Sequence, residues 1–112
     1  MKARQRDIWY AQLNPVKGSE QGGRRLVVVI SGDTMSETLP IVIVCPLSGK
    51  VKGYPGCVLI RAGKETGLKQ DSEVIVFQVR TLTSARLTKK MGAVSYVEFR
   101  TILQGLQEIL TL

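Results

Sequence analysis

What most limits this chain is that its apolar residues come in runs of strand length, one after another, with turn residues between them. Asp7–Leu13 reads as a first strand and is closed by Asn14-Pro15. Arg25–Ser31 is a second, apolar enough to be buried on both faces. Ile41–Leu47, Cys57–Arg61, Glu73–Val79 and a short segment within Leu87–Ala93 follow as further strands. Val16–Arg24, Gly32–Pro40 and Ala62–Asp71 read as loops, and Thr81–Ala85 as a turn. Parallel strands need long crossovers, usually helical, so a doubly wound parallel sheet does not fit. The pattern points to a mainly β fold of five to seven strands, either a small barrel or a strongly curled sheet. A chain of 112 residues holds one core, so residues 1–112 are expected to form one domain.

The period changes once, near the end. Ser95 and Glu98 have the spacing of a capping box, in which the serine hydroxyl and the glutamate each satisfy the other's backbone amide. Val97, Ile102, Leu103, Leu106, Ile109 and Leu110 then recur at helical spacing. This predicts one amphipathic helix packed on the sheet, with Gly105 marking a close contact.

Charge and residue types narrow the chemistry. Sixteen Lys and Arg against nine acids leave +7, which favours a polyanionic partner. No stretch has the length of a membrane span or the form of a secretory leader, so no membrane partner and a cytoplasmic location are expected. There is no histidine, which removes Cys–His nucleophilic catalysis and imidazole general-base chemistry. Cys45 and Cys57 sit in or beside apolar runs and read as small hydrophobes. Two cysteines without histidine make a poor zinc site, and no cofactor is expected.

Three places can carry chemistry. The loop Gly18-Ser19-Glu20-Gln21-Gly22-Gly23 and the following Arg24-Arg25 offer backbone amides and planar guanidinium forks to an anion. A flexible surface hairpin accounts for the same residues. If Arg25 opens a strand, Arg24 and Arg25 point to opposite faces, and only one lines a given cleft. Ser48 ends the third strand beside Gly49 and Lys50, where it either faces a site or satisfies its own turn. Arg80 leaves an apolar strand, and is either a cleft residue or the partner of an acid such as Asp71.

Together these blocks resemble the MazF/PemK family of toxins over Asp7 to about Leu110. Asp7-Ile8-Trp9-Tyr10-Ala11 and Leu13-Asn14-Pro15 are similar to its opening strand. Gly18–Gly23 followed by Arg25 resembles its signature loop, and Ile43-Val44-Cys45-Pro46-Leu47-Ser48 its third strand. Gly67–Ser72, Gln78-Val79-Arg80-Thr81-Leu82 and Arg86-Leu87 follow in family order. The resemblance implies an SH3-like β-barrel with a C-terminal helix, forming a homodimer. It implies metal-independent cleavage of single-stranded RNA at short sequences, leaving 2′,3′-cyclic phosphate and 5′-hydroxyl ends. A MazE-like antitoxin with an acidic C-terminal segment is the implied protein partner. The family's catalytic arginine maps to Arg25 and its catalytic threonine to Ser48. Lys17, Ser19, Glu20, Gln21, Arg24, Gln78 and Arg80 are the implied RNA contacts, with Glu20 suited to proton transfer or base recognition. Two departures stand out: Leu26 replaces a common proline, and Phe77 stands where relatives often place an acid.

Two other functions compete on the same barrel. A gyrase poison relies on a C-terminal Trp-Gly-Ile, whereas this sequence reads Ile109-Leu110-Thr111-Leu112. A degenerate toxin would bind RNA or antitoxin without cutting, an expectation that Ser48 and Phe77 both feed.

Overall fold

Alternation along the strands sorts the apolar residues onto two faces, and both faces are covered. The computed structural model describes residues 2–13 and 23–111. Its strands are β1 (Asp7–Gln12), β2 (Arg24–Val29), β3 (Ile41–Ser48), β4 (Val58–Ile60), β5 (Ser72–Val74), β6 (Arg80–Thr83) and β7 (Leu87–Ala93). Helix α1 spans Asp33–Thr38 and helix α2 spans Tyr96–Thr111. The sheet runs β4-β5-β3-β2-β1-β7 and its strand pairings are antiparallel. The expected small β fold with a C-terminal helix is therefore present, as a curled antiparallel sheet. Among the described residues, no helix is long and apolar enough to cross a membrane.

β3 is where the sheet divides. One edge pairs with β2; the other carries β6 beside Ile41–Val44 and β5 beside Leu47 and Ser48. On one face Ile8, Val28, Cys45, Leu47, Val74 and Ile102 form a core under α2. On the other, Trp9, Ala11, Val27, Val29, Val42 and Val44 form a second core. Val27, Val28 and Val29 are all fully buried, as a strand covered on both sides requires.

The helix begins on the expected box: the Ser95 amide donates to Glu98 Oε1 at 2.8 Å, and the Glu98 amide to Ser95 Oγ at 3.0 Å. Its buried face matches the expected one in part, since Ile102 is buried and Leu106 and Ile109 pack against the core. Phe99, Ile102 and Gly105 are buried, whereas Val97, Leu103 and Leu110 are exposed. Gly105 does mark a close contact, because a Cβ there would run into the Gly56 carbonyl oxygen.

Three local expectations change. Gly32–Pro40 holds α1, which buries no residue and so leaves no apolar period to read. It is held instead by Asp33, whose carboxylate accepts the Gln5 amide at 2.8 Å and pairs with Arg4 at 2.9 Å. Thr81–Ala85 is mostly β6 and then a 3-10 turn, Ser84–Arg86; Leu82 alone of β6 is buried, too little alternation to register. Glu73–Val79 is a strand only as far as Val74. A 3-10 turn at Val76–Gln78 follows, with Val76 buried and Phe77 and Gln78 outside.

A buried carboxylate fixes the start of the chain. Asp7 accepts the Arg4 amide at 2.8 Å and the Trp9 indole N–H at 3.1 Å, and meets Lys90 Nζ at 3.3 Å.

Candidate functional site

The site is built at the end of β3. Val27 pairs with Pro46, so the same register continued by two residues brings Arg25 level with Ser48. Arg25 is half-buried and donates to the Leu47 carbonyl at 3.4 Å. Its neighbour Arg24 lies on the opposite face, its guanidinium 4.0 Å from the Tyr10 ring centroid. Alternation predicts this division, and Arg25 is the one that reaches the cavity.

That cavity is about 260 Å³ and is lined by Arg25, Ser48, Lys50, Lys52, Glu73 and Gln78, with Tyr54 and Phe77 at its rim. Three cations around one small opening make a natural anion seat. The Ser48 hydroxyl is engaged in its own turn, accepting the Lys50 amide at 3.1 Å and lying 3.4 Å from the Lys50 carbonyl. Both readings of Ser48 therefore hold at once: it satisfies a turn and it faces the cavity.

Lys50, Lys52 and Tyr54 belong to an arm between β3 and β4, and Glu73 holds that arm. Glu73 is 2% exposed, and its two carboxylate oxygens accept the Lys52 backbone amide at 3.1 Å and the Gly53 backbone amide at 2.9 Å. Two backbone donors offset the desolvation of a buried carboxylate. The arm then turns at Tyr54-Pro55-Gly56-Cys57, where the Cys57 amide donates to the Tyr54 carbonyl at 3.0 Å. Proline second and glycine third, with Gly56 at φ 78°, is the residue order a type II turn demands.

Phe77 and Gln78 would alternate in a strand. The 3-10 turn breaks the alternation and lets both line the cavity.

Of the residues expected at the site, Arg25, Ser48 and Gln78 converge. Arg24 does not, and neither does Arg80, which is exposed on β6 opposite Val44. Nor does Arg80 pair with Asp71: among the described residues the ion pairs are Arg4–Asp33 and Lys90–Asp7, and Asp71 accepts the Ala62 amide at 2.8 Å. Lys17, Ser19, Glu20 and Gln21 lie outside the described residues. Lys50, Lys52, Tyr54 and Glu73 were not anticipated. Two lysines flanking a turn beside Ser48 were the available signal, whereas Glu73 looked like an ordinary strand residue.

Burial pushes the Cys45 thiol up to about 12, with Cys57 beside it adding to the effect. Burial also raises Cys57, against a lowering hydrogen bond to the Val76 backbone, with Glu73 raising it further. Both thiols stay protonated near neutrality and serve packing. Among the described residues, no three Cys, Asp or Glu side chains gather as a metal site would need.

A larger cavity of about 390 Å³ opens between α1 and the start of β3, lined by Lys2, Trp9, Glu37, Leu39, Val42 and Leu87 among others. Size favours it, but its one lysine faces one glutamate over an apolar floor. The smaller cavity has the convergent charge, and chemistry rather than volume selects it.

Comparison with known proteins gives matches over nearly the whole chain. A family profile described as PemK-like, MazF-like toxin of type II toxin-antitoxin system matches residues 4–110. The MazE–MazF crystal structure (Form-II) from Deinococcus radiodurans is similar, with TM-score 0.85 and 22% identity over 100% of this chain and 98% of that one. The Mycobacterium tuberculosis toxin MazF-mt6 matches at TM-score 0.80 and 22% identity, over 96% of this chain and 98% of that one. An endoribonuclease in complex with its cognate antitoxin, from a mycobacterial species, matches at TM-score 0.79 and 17% identity, over 98% and 96%.

Proposed function

The chain belongs to the family of PemK-like, MazF-like toxins of type II toxin–antitoxin systems, and from that membership we propose that it is an endoribonuclease acting on single-stranded RNA. The observation that carries the reading is the convergence of Arg25, Ser48 and Gln78, from three separate segments, on one cavity edged by Lys50 and Lys52. In the proposed reaction the 2′-hydroxyl attacks its own phosphate. An O2′–P bond forms and the P–O5′ bond breaks; the 2′-hydroxyl gives up its proton and the leaving 5′-oxygen gains one. The products are a 2′,3′-cyclic phosphate and a 5′-hydroxyl. Such attack needs alignment and positive charge on the crowded phosphorane more than it needs an enzymic nucleophile. Arg25 supplies that charge, Ser48 a hydroxyl at the phosphate, and Gln78 a contact to a base edge. Lys50 and Lys52 hold flanking phosphates. Lys17, Ser19, Glu20 and Gln21 supply further contacts from the glycine loop.

The relatives solved with antitoxins support a further part of the reading. A cognate antitoxin with an acidic segment neutralises the toxin by occupying the same basic cleft, and the toxin acts as a homodimer.

The test is incubation of single-stranded RNA with pure protein in EDTA, followed by mapping of 5′ ends. Fragments with 5′-hydroxyl and cyclic-phosphate termini are expected, and intact RNA at every protein concentration would sink the proposal. One observation favours a second reading, a toxin that binds without cutting: Ser48 Oγ is already engaged by the Lys50 backbone. RNA that is retained but never cut would establish it.

A further inference from the structure

The chain has six aromatic side chains, and four of them do not line the basic cavity. Trp9 and Phe99 are buried in the two cores. Tyr10 lies under the Arg24 guanidinium and Tyr96 under that of Arg6, at 4.0 and 3.9 Å. Tyr54 and Phe77 remain. They are 47% and 49% exposed, and they meet edge to face with ring centroids 5.9 Å apart and planes at 63°. In that arrangement the edge of one ring covers part of the other, which leaves ring surface open to the cavity.

Neither ring is free to fold inward. Tyr54 rides on the arm that Glu73 grips through the Lys52 and Gly53 amides, and on a turn seated against α2 at Gly105. Phe77 rides on the 3-10 turn anchored by buried Val76. Two large apolar groups are thus held out of the core, at the rim of a cavity whose other walls carry Arg25, Lys50 and Lys52. A basic groove with rigid aromatic faces beside it is what binds unpaired bases: the cations take the backbone and the rings take the base.

We propose that Tyr54 and Phe77 form a stacking wall for one unpaired base of the RNA, next to the phosphate held at Arg25. The inference rests on the RNA-cleft reading above and adds to it the residues that grip a base. Stacking area, not edge hydrogen bonding, sets the preference of this wall, so it favours a purine over a pyrimidine at the position it holds. The aromatic at Phe77 thereby contributes binding that a carboxylate in its place would oppose.

The test uses full-length protein and a single-stranded 2′-O-methyl RNA, which lacks the attacking hydroxyl, carrying the fluorescent base 2-aminopurine at successive positions. At low salt the wild type should bind and quench the emission at one position. Phe77→Ala and Tyr54→Ala should each weaken binding roughly tenfold and restore the emission, while Phe77→Tyr and Tyr54→Phe stay within about twofold. On cleavable RNA the alanine variants should raise KM more than they lower kcat. Wild-type binding that is unquenched at every position, and unchanged in the alanine variants, overturns the stacking wall and leaves the RNA-cleft reading standing. Absence of any wild-type binding overturns both. If the alanine variants alter subunit association while RNA affinity is unmoved, the rings belong to a protein interface and the proposal is wrong.

Discussion

Two cavities sit at opposite ends of β3, and they differ in what lines them more than in size. At the strand's start the larger one rests on Trp9, Leu39 and Val42, with Lys2 and Glu37 as its charged groups. At the strand's end the smaller one gathers Arg25, Lys50 and Lys52 around Ser48 and Gln78. The first is a gap left where a short helix lies over an apolar sheet face. The second is made by polar side chains that the fold holds in place from outside the core. The contrast separates space from a site: a site needs groups that converge and a scaffold that keeps them there.

The largest effects are expected from removing charge at each cavity in turn. Arg25→Ala should lower RNA cleavage by about 100-fold or more, on the scale of losing one transition-state donor. Lys2→Ala, in the larger cavity, should change it by no more than about twofold. Equal losses in a cleavage assay would erase the distinction.

Next comes stability. Asp7→Ala removes the acceptor that holds the Arg4 amide, the Trp9 indole and Lys90. It should cost about 2–4 kcal/mol by denaturant titration, because two donors lose a buried partner. RNA affinity measured well below the melting point should not move. Gly105→Ala should cost about 1–3 kcal/mol through overpacking against the Gly56 carbonyl. Unlike Asp7→Ala it should also weaken RNA binding, since the arm bearing Tyr54 is what must shift. A Gly105→Ala protein with wild-type affinity would uncouple the arm from the helix.

Single charges at the surface carry smaller effects. Lys52→Ala should flatten the salt dependence of RNA binding, the slope of log K against log salt falling by about 0.7, as expected for one phosphate contact on a single strand. Arg24→Ala, on the other face, should leave the slope within error. The last expectation concerns pH. Burial holds Cys45 up to about 12 against an ordinary 9.0. The unfolded chain therefore loses this proton first as pH rises. Stability from this group is complete below about 9 and declines between about 9 and 12. Cys45→Ala should flatten that alkaline limb in pH-resolved melts.

How far the sequence could be read depended on how local each cause was. The buried valines of β2, the Ser95–Glu98 box and the opposed Arg24 and Arg25 follow from periods of two and from spacing within one turn. These were legible. α1 was not, because it buries nothing and is held by Asp33 reaching back to Arg4 and Gln5. Phe99 was missed on α2 because Val97 and Leu103 fit helical spacing equally well, and only the curl of the sheet decides which side is covered. At the site, Arg25 and Ser48 stand out on local chemistry, and family resemblance gives them their roles and adds Gln78. The arm from Lys50 to Tyr54 depends on Glu73, about twenty residues along the chain, and no local pattern announces a carboxylate that grips backbone.

The contact between Gly56 and Gly105 has a consequence for tolerance. Main chain touches main chain there, so the joint has no rotamers to choose between. Other packing in the protein can absorb a substitution by letting a neighbouring side chain swing, and the error is spread and lost. This joint has no such slack. The distance from α2 to the rim of the cavity is therefore set first by backbone geometry, and Ile109 and Val76, which lie against Gly56, are the side chains that bear on it.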